Sequence, residues 1–231
     1  MKTRIAKFIA DSGVASRRGA EDLIARGVVS VNGERIDTPV FFIDDNDIVT
    51  VNGKKISANK KTKLYAFHKP INTMTTRNDP DGRKTIYDFL PPELCGLKYI
   101  GRLDYKTTGL LLLTNDGEFA RKMTLPSSKI PRVYIATVYG DLSKLDLARR
   151  GITVDGIKYA PMKIDIIDNK NLRIEIYEGK KNEIRIVLSA IGAPVKKLHR
   201  ESYGPVKLGD LPAGKIRELN QKTIDLISKS F

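Results

Sequence analysis

Cysteine is almost absent from this 231-residue chain. Cys95 stands alone, so no disulfide can close within the chain, and a reducing cytoplasm is the expected setting. Histidine is nearly as scarce. With only His68 and His199 beside that one thiol there is no Cys/His set for zinc, which excludes a zinc-dependent base deaminase. Long apolar runs are missing too: none reaches bilayer length, and residues 1–30 lack an uncharged signal-peptide core, so no membrane partner is expected. The glycine motifs that cradle nucleotides are also wanting. No Gly-x-Gly-x-x-Gly follows a strand. Gly209–Lys215 has P-loop spacing, but Ile216 stands where a Ser or Thr must meet magnesium and Pro212 interrupts it, so the match is coincidence. No Gly-x-Ser-x-Gly elbow is present.

Acidic residues are the last shortage. Forty-one Lys and Arg against 27 Asp and Glu leave a net charge of +14 and a pI near 9.7, which points to a polyanionic partner bound through phosphates. A membrane surface would want a basic amphipathic helix with large apolar side chains opposite, and none is found. Simple solubilising charge stays open. At 41% hydrophobic and 29% charged, the chain reads as globular rather than disordered.

Residues 3–10 place Ile5, Phe8 and Ile9 at helical spacing, with Arg4 and Lys7 off that face. A second helix starts at Ser16 as N-cap and stops at Gly27. Arg17 and Arg18 sit in its first turn, against the helix dipole. That placement makes sense if a phosphate docks there, and it also fits a solvated basic helix end. Asn32-Gly33 and Asn52-Gly53, each flanked by β-prone residues, predict two tight hairpins. Residues 1–60 thus form a minidomain, and the basic stretch 57–63 reads as a linker.

A second domain follows over 64–231. The pattern predicts strands at 64–67, 132–139, 162–167, 172–176, 195–200 and 215–219, a hairpin at Asp155-Gly156, and helices at 86–90, 118–123, 143–150, 182–190 and 223–230. Ser143 and Asp146 make a capping box. Strands joined by hairpins with fewer helices between them define an α+β fold on a mostly antiparallel or mixed β-sheet.

At its centre lies Gly101-Arg102-Leu103-Asp104-Tyr105-Lys106-Thr107-Thr108-Gly109, running into Leu110–Leu113 and Asn115-Asp116-Gly117. Four successive leucines fit a strand buried on both faces, and a loop anchored to such a strand is rigid. On local pattern alone the Arg and Asp are a surface ion pair of small consequence. Gly-Arg-Leu-Asp followed by Thr-Gly-Leu-Leu-Leu-Leu-Thr-Asn-Asp-Gly, however, resembles the signature loop of the RsuA/RluB-type ribosomal RNA pseudouridine synthases. The segment from Arg4 through Ser16-Arg17-Arg18, Ala20-Glu21 and Gly27 to Val31-Asn32-Gly33 is similar to the small RNA-binding module first known from a small-subunit ribosomal protein.

The resemblance implies that Asp104 is the essential catalytic residue, attacking a flipped-out uridine with no metal and no cofactor. It implies that Tyr134, in Pro131-Arg132-Val133-Tyr134, packs on the base and removes its ring proton. Glu178-Gly179-Lys180-Lys181-Asn182-Glu183-Ile184-Arg185 resembles the family's late motif, in which Arg185 matches the Arg that pairs with the Asp. Here the chain departs from the usual pattern. Lys181-Asn182 stands for Asn-Arg, Glu183 for a common Gln, and Ile186 for a second Arg, which puts the flanking RNA contacts in question but not the pairing Arg.

Arg102 reads as loop organiser or phosphate contact. Arg77 and Arg83 read either as solvated loop residues or as groups opening the RNA, and Lys180 joins Arg4, Lys7, Ser16, Arg17 and Arg18 as an expected RNA contact. Lys196, Lys197, His199 and Arg200 either extend that track or form an ordinary charged edge strand. The loop Thr76–Arg83 is most like the RluB-type branch, so the implied substrate is structured large-subunit ribosomal RNA. The alternatives are small-subunit RNA or a non-catalytic assembly factor. The protein is expected to be a cytoplasmic monomer.

Overall fold

A pair of small helices and two hairpins open the chain, and both follow from residues named above. The computed structural model describes residues 2–57 and 61–229, in two units: Met1–Thr62 with Asn115–Gly117, and Lys63–Thr114 with Glu118–Phe231. In the first unit, α1 (Ile5–Asp11) and α2 (Arg17–Ala25) pack Ile5, Ile9, Ala20 and Ile24 against Val29, Val31, Val49 and Val51. The Ser16 hydroxyl caps α2 by accepting the Gly19 amide at 3.0 Å. Strand β1 (Thr3–Arg4) pairs with β4 (Phe42–Ile43), and β2 (Val29–Val31), β3 (Glu34–Arg35), β5 (Val49–Val51) and β6 (Lys54–Lys55) form a four-stranded sheet in the order β3-β2-β5-β6. Its two hairpins turn on Asn32-Gly33 (φ +52° and +88°) and Asn52-Gly53 (φ +49° and +72°), the two left-handed residues that a tight hairpin needs. The expected linker falls in part on residues 58–60, outside the described residues.

The second unit is built on one mixed sheet. Its strands are β7 (Leu64–Lys69), β8 (Lys98–Ile100), β9 (Thr107–Thr114), β10 (Arg132–Val138), β13 (Lys163–Ile166), β14 (Asn171–Ile176), β15 (Val195–Tyr203), β16 (Val206–Lys207) and β17 (Ile216–Glu218). The order is β13-β14-β10-β15-β9-β7-β17, with β8 beside β9 and β16 beside β15. Strands β9 and β15 run parallel; the other pairs are antiparallel.

Leu110–Leu113 of β9 are all fully buried, and they divide between two cores. Leu111 and Leu113 join the side covered by α4 (Leu145–Arg150) and α5 (Glu183–Ala190). Leu110 and Leu112 join the side covered by α3 (Gly117–Thr124) and α6 (Gln221–Ser228). A strand sandwiched in this way has no solvent face, which is why its sequence does not alternate. Strands β11 (Ile152–Val154) and β12 (Ile157–Tyr159) form a separate ribbon turned on Asp155-Gly156.

Two local expectations are corrected. Helix α4 starts at Leu145 without a side-chain cap, because Ser143 hydrogen-bonds Asp141 instead, through its amide at 2.8 Å and its hydroxyl at 2.6 Å. Strand β15 is interior, between β10 and β9, rather than an edge, so only Lys196 and Lys197 of its basic set face solvent. Residue 230, assigned to the last helix, lies outside the described residues. Among the described residues, no helix is long and apolar enough to cross a membrane, and no group of three or more His, Cys, Asp or Glu is placed to hold a metal ion.

Candidate active site

The Gly101–Gly109 loop leads into the most deeply buried strand of the protein, and its carbonyls are held one by one. The Thr75 hydroxyl donates to the Leu103 carbonyl at 2.8 Å. The Asn72 amide donates to Tyr105 at 2.9 Å, and Arg185 Nη2 to Lys106 at 3.1 Å. Lys69 Nζ donates to Thr107 at 2.8 Å and Pro70 at 3.0 Å, with a longer contact of 3.5 Å to Tyr105. Asp104 closes the turn by accepting the Thr107 amide at its own carbonyl, 2.9 Å away. The carboxylate is thereby carried on a backbone with almost no free acceptor, and its position is fixed before any substrate arrives.

Asp104, half-buried, lies where two hollows meet. One, of about 370 Å³, is lined also by Leu103, Thr107, Tyr134, Ile184 and Leu198. That is room for a single nucleobase, at the low end of ligand-pocket volumes. The other, of about 1200 Å³, is an open cleft with Arg83, Arg102, Lys106, Lys181 and Arg185 along it, a size and charge suited to a phosphodiester strand.

The charge around Asp104 is unusual for an interior. Lys69 (0% exposed) and Arg200 (1% exposed) are buried with no carboxylate within ion-pair distance among the described residues. Burial pushes the Lys69 ammonium down to about 8; Asp104 works against that shift and Arg200 adds to it. Burial also lowers Arg185, again opposed by Asp104. Asp104 is thus the acidic neighbour whose field both Lys69 and Arg185 feel.

Arg185 differs from its expected place. Its guanidinium donates to the carbonyls of Val195 (3.0 Å) and Lys106 (3.1 Å), with Nε left unpartnered, and it makes no direct ion pair with Asp104. It anchors the loop that carries the carboxylate and acts on that carboxylate through space. Tyr134 is where the pattern puts it, buried in β10 and facing the smaller hollow. A register shift between Val133 and Tyr134 sets it opposite Arg200, whose Nη1 donates to the Tyr134 hydroxyl at 3.4 Å and whose Nε donates to the Leu110 carbonyl at 2.6 Å.

Of the expected RNA contacts, Arg18 and Arg102 are exposed, as is Arg17. Arg4 lies over the Phe42 ring, and Lys7 pairs with Asp11 at 3.2 Å. Arg83 is gripped by Asp79 and Asp81 at 2.7 and 2.8 Å, which holds the Asp79 carboxyl down to about 2. Arg77 donates to the carbonyls of Cys95 and Leu97 and stacks on Tyr87, so it braces the loop. Lys180 bridges Glu178 (2.7 Å) and the Lys158 carbonyl (3.0 Å).

Lys69, Thr75 and Arg200 were not singled out for the site from sequence. Arg200 was grouped only with a basic strand, although a lysine ending an apolar strand and an arginine alternating with Leu198 were visible signals. Beside them, Glu183 is buried at the start of α5. Desolvation, then contact with Glu178, pushes its carboxyl up to about 7, while Glu178 is held low by its bonds to Lys180 and the Ala160 amide. Glu183 Oε1 is buried with no hydrogen-bond partner.

Comparison with known proteins gives a consistent result. Residues 63–190 match the family model for RNA pseudouridylate synthase, and residues 3–49 match the S4 domain. An uncharacterized RNA pseudouridine synthase of Aquifex aeolicus is 41% identical over 238 residues, covering 100% of this chain and 95% of that protein. The ribosomal large subunit pseudouridine synthase B of Bacillus subtilis is 39% identical over 224 residues, covering 94% and 91%. A crystal structure of a pseudouridylate synthase superposes with a TM-score of 0.71 at 29% identity, covering 97% of this chain and 99% of that one.

Proposed function

Because this chain belongs to the RsuA/RluB family of RNA pseudouridine synthases, we propose that it isomerises one uridine of large-subunit ribosomal RNA, with Asp104 as nucleophile. That it is an RNA pseudouridine synthase is the premise; the substrate and the residue roles are the proposal. The observation that carries it is the placement of Asp104 between a base-sized hollow and a basic cleft, on a loop whose carbonyls are already bonded.

The target base leaves its stack and enters the smaller hollow, paying an unstacking cost that contacts in the pocket offset. Asp104 attacks the nucleoside, the bond from the sugar to N1 breaks, and the freed uracil turns within the hollow. A new bond joins the sugar to C5 and the bond to Asp104 breaks, freeing the carboxylate; N1 gains a proton, and the proton on C5 leaves. The Tyr134 hydroxyl, steadied by Arg200, relays that proton, accepting it as it gives up its own. Nothing is oxidised and no atom is gained, so the reaction calls for no redox cofactor. Lys69 and Arg185 hold the Asp104 loop through its backbone carbonyls.

The large-subunit reading is supported by the Thr76–Arg83 loop and by the substrate in the name of the Bacillus subtilis relative. The S4 unit supplies the second RNA contact, through the first turn of α2. The test is to incubate unmodified small- and large-subunit transcripts with the protein and map pseudouridine in each. A new site in the large-subunit RNA alone is expected; one confined to the small-subunit RNA would overturn the substrate assignment.

A further inference from the structure

Next to the base-sized hollow lies another, of about 430 Å³. Ile176 and Glu183 line both, so the end of β14 and the first residue of α5 form a shared wall. The remaining lining is mostly apolar: Pro126, Ala160, Pro161 and Tyr177, with Lys129 among them. Tyr177 is 47% exposed, yet it is held at both ends. Its hydroxyl donates to Glu175 at 2.7 Å, and its carbonyl accepts from Arg132 at 2.9 Å. An exposed aromatic fixed in this way is a stacking platform.

The polar part of this second hollow is the Glu178–Glu183 pair. Glu183 is 3% exposed, and its Oε2 accepts the Lys180 amide at 3.0 Å. Its Oε1 is buried with no hydrogen-bond partner. Nothing in the isomerisation uses this side of the wall.

We propose that the second hollow receives the base of the nucleotide adjoining the target uridine in the RNA strand, stacked on Tyr177, with its exocyclic amino group donating to the Glu178–Glu183 carboxyl pair. This rests on the reading that uridine occupies the first hollow. Adjoining nucleotides are covalently linked, so a base drawn into the first hollow brings its neighbour to the shared wall. Lys129, in the same lining, offers a cation to a phosphate. Adenine, cytosine and guanine offer an exocyclic N–H to a carboxylate. Uracil offers only N3–H, flanked by two carbonyls that would face the carboxylate oxygens. The hollow therefore selects an amino-bearing neighbour and contributes to the choice of site.

The experiment uses the full-length Asp104→Asn protein, chosen because the proposed mechanism removes its turnover, titrated with the dinucleotides UpA, UpC, ApU, CpU and UpU. In one strand polarity the amino-bearing dinucleotides should bind about ten-fold tighter than UpU, within the range of one base-edge contact. That preference should shrink in Glu178→Gln, while Tyr177→Ala should weaken every dinucleotide of that polarity and Tyr177→Phe should not. Equal affinity for all five, or a preference unchanged in Glu178→Gln, would overturn the proposal. Pseudouridine formation by the wild-type enzyme reports on the uridine reading separately, so the two can fail independently.

Discussion

Glu183→Gln isolates the buried carboxyl pair. The side chain keeps its shape, its amide oxygen can accept the Lys180 amide, and its NH₂ can donate towards Glu178. In the wild type the folded protein holds the Glu183 proton up to about pH 7, against a carboxyl value of 4.5 when free. Between those values the folded state binds more protons than the unfolded one, so stability falls as pH rises; above about 7 it levels off. At 1.36 kcal/mol per unit the ceiling on that loss is about 3 kcal/mol.

Glu178 acts with opposite sign and in a different window. Its carboxyl is held low, so the stability it contributes is lost only as the solution becomes more acid. Urea unfolding of wild type and Glu183→Gln at pH 5 and at pH 8 separates the two. The variant should match the wild type at pH 5 and exceed it at pH 8 by up to about 3 kcal/mol, or several degrees in melting temperature. A difference between the two proteins that does not change with pH would refute the raised Glu183 carboxyl.

Two further perturbations probe other parts of the account. Gly109 has φ +105°, and a Cβ there would lie 2.3 Å from the Arg200 carbonyl oxygen where β9 meets β15. Gly109→Ala should cost about 3 kcal/mol or more in urea unfolding, whereas a loss under about 1 kcal/mol would mean that the two strands part easily. Replacing both Arg17 and Arg18 by Ala should weaken binding to large-subunit RNA and flatten the log–log salt dependence by about 1 to 2. An unchanged slope would remove the phosphate contact assigned to the first turn of α2.

What was legible in the sequence was what short-range chemistry dictates. Asn-Gly pairs fix their turns because both residues must take positive φ, and the leucine run of β9 announced a strand without a wet face. The Ser16 cap was local and correct, while Ser143 offered the same signal and was captured by Asp141, a competitor two residues away. Strand order is a long-range property. Nothing within residues 195–203 says that β9 will lie along one side and β10 along the other, so its basic residues read as an edge. The same holds for the site. Asp104 and Tyr134 stand in recognisable motifs, whereas the grip of Lys69, Thr75 and Arg185 on the loop carbonyls exists only once segments 28 to 79 residues apart in sequence are folded together.

The central claim is that the Asp104 carboxylate attacks the uridine. Its most direct test is pseudouridine mapping of unmodified large-subunit transcript after incubation with wild-type protein and with Asp104→Asn, alongside an affinity measurement for each. One new pseudouridine with the wild type, none with Asp104→Asn, and RNA affinity within a few-fold are the expected results. Turnover by Asp104→Asn at the same site would contradict the assignment of the nucleophile.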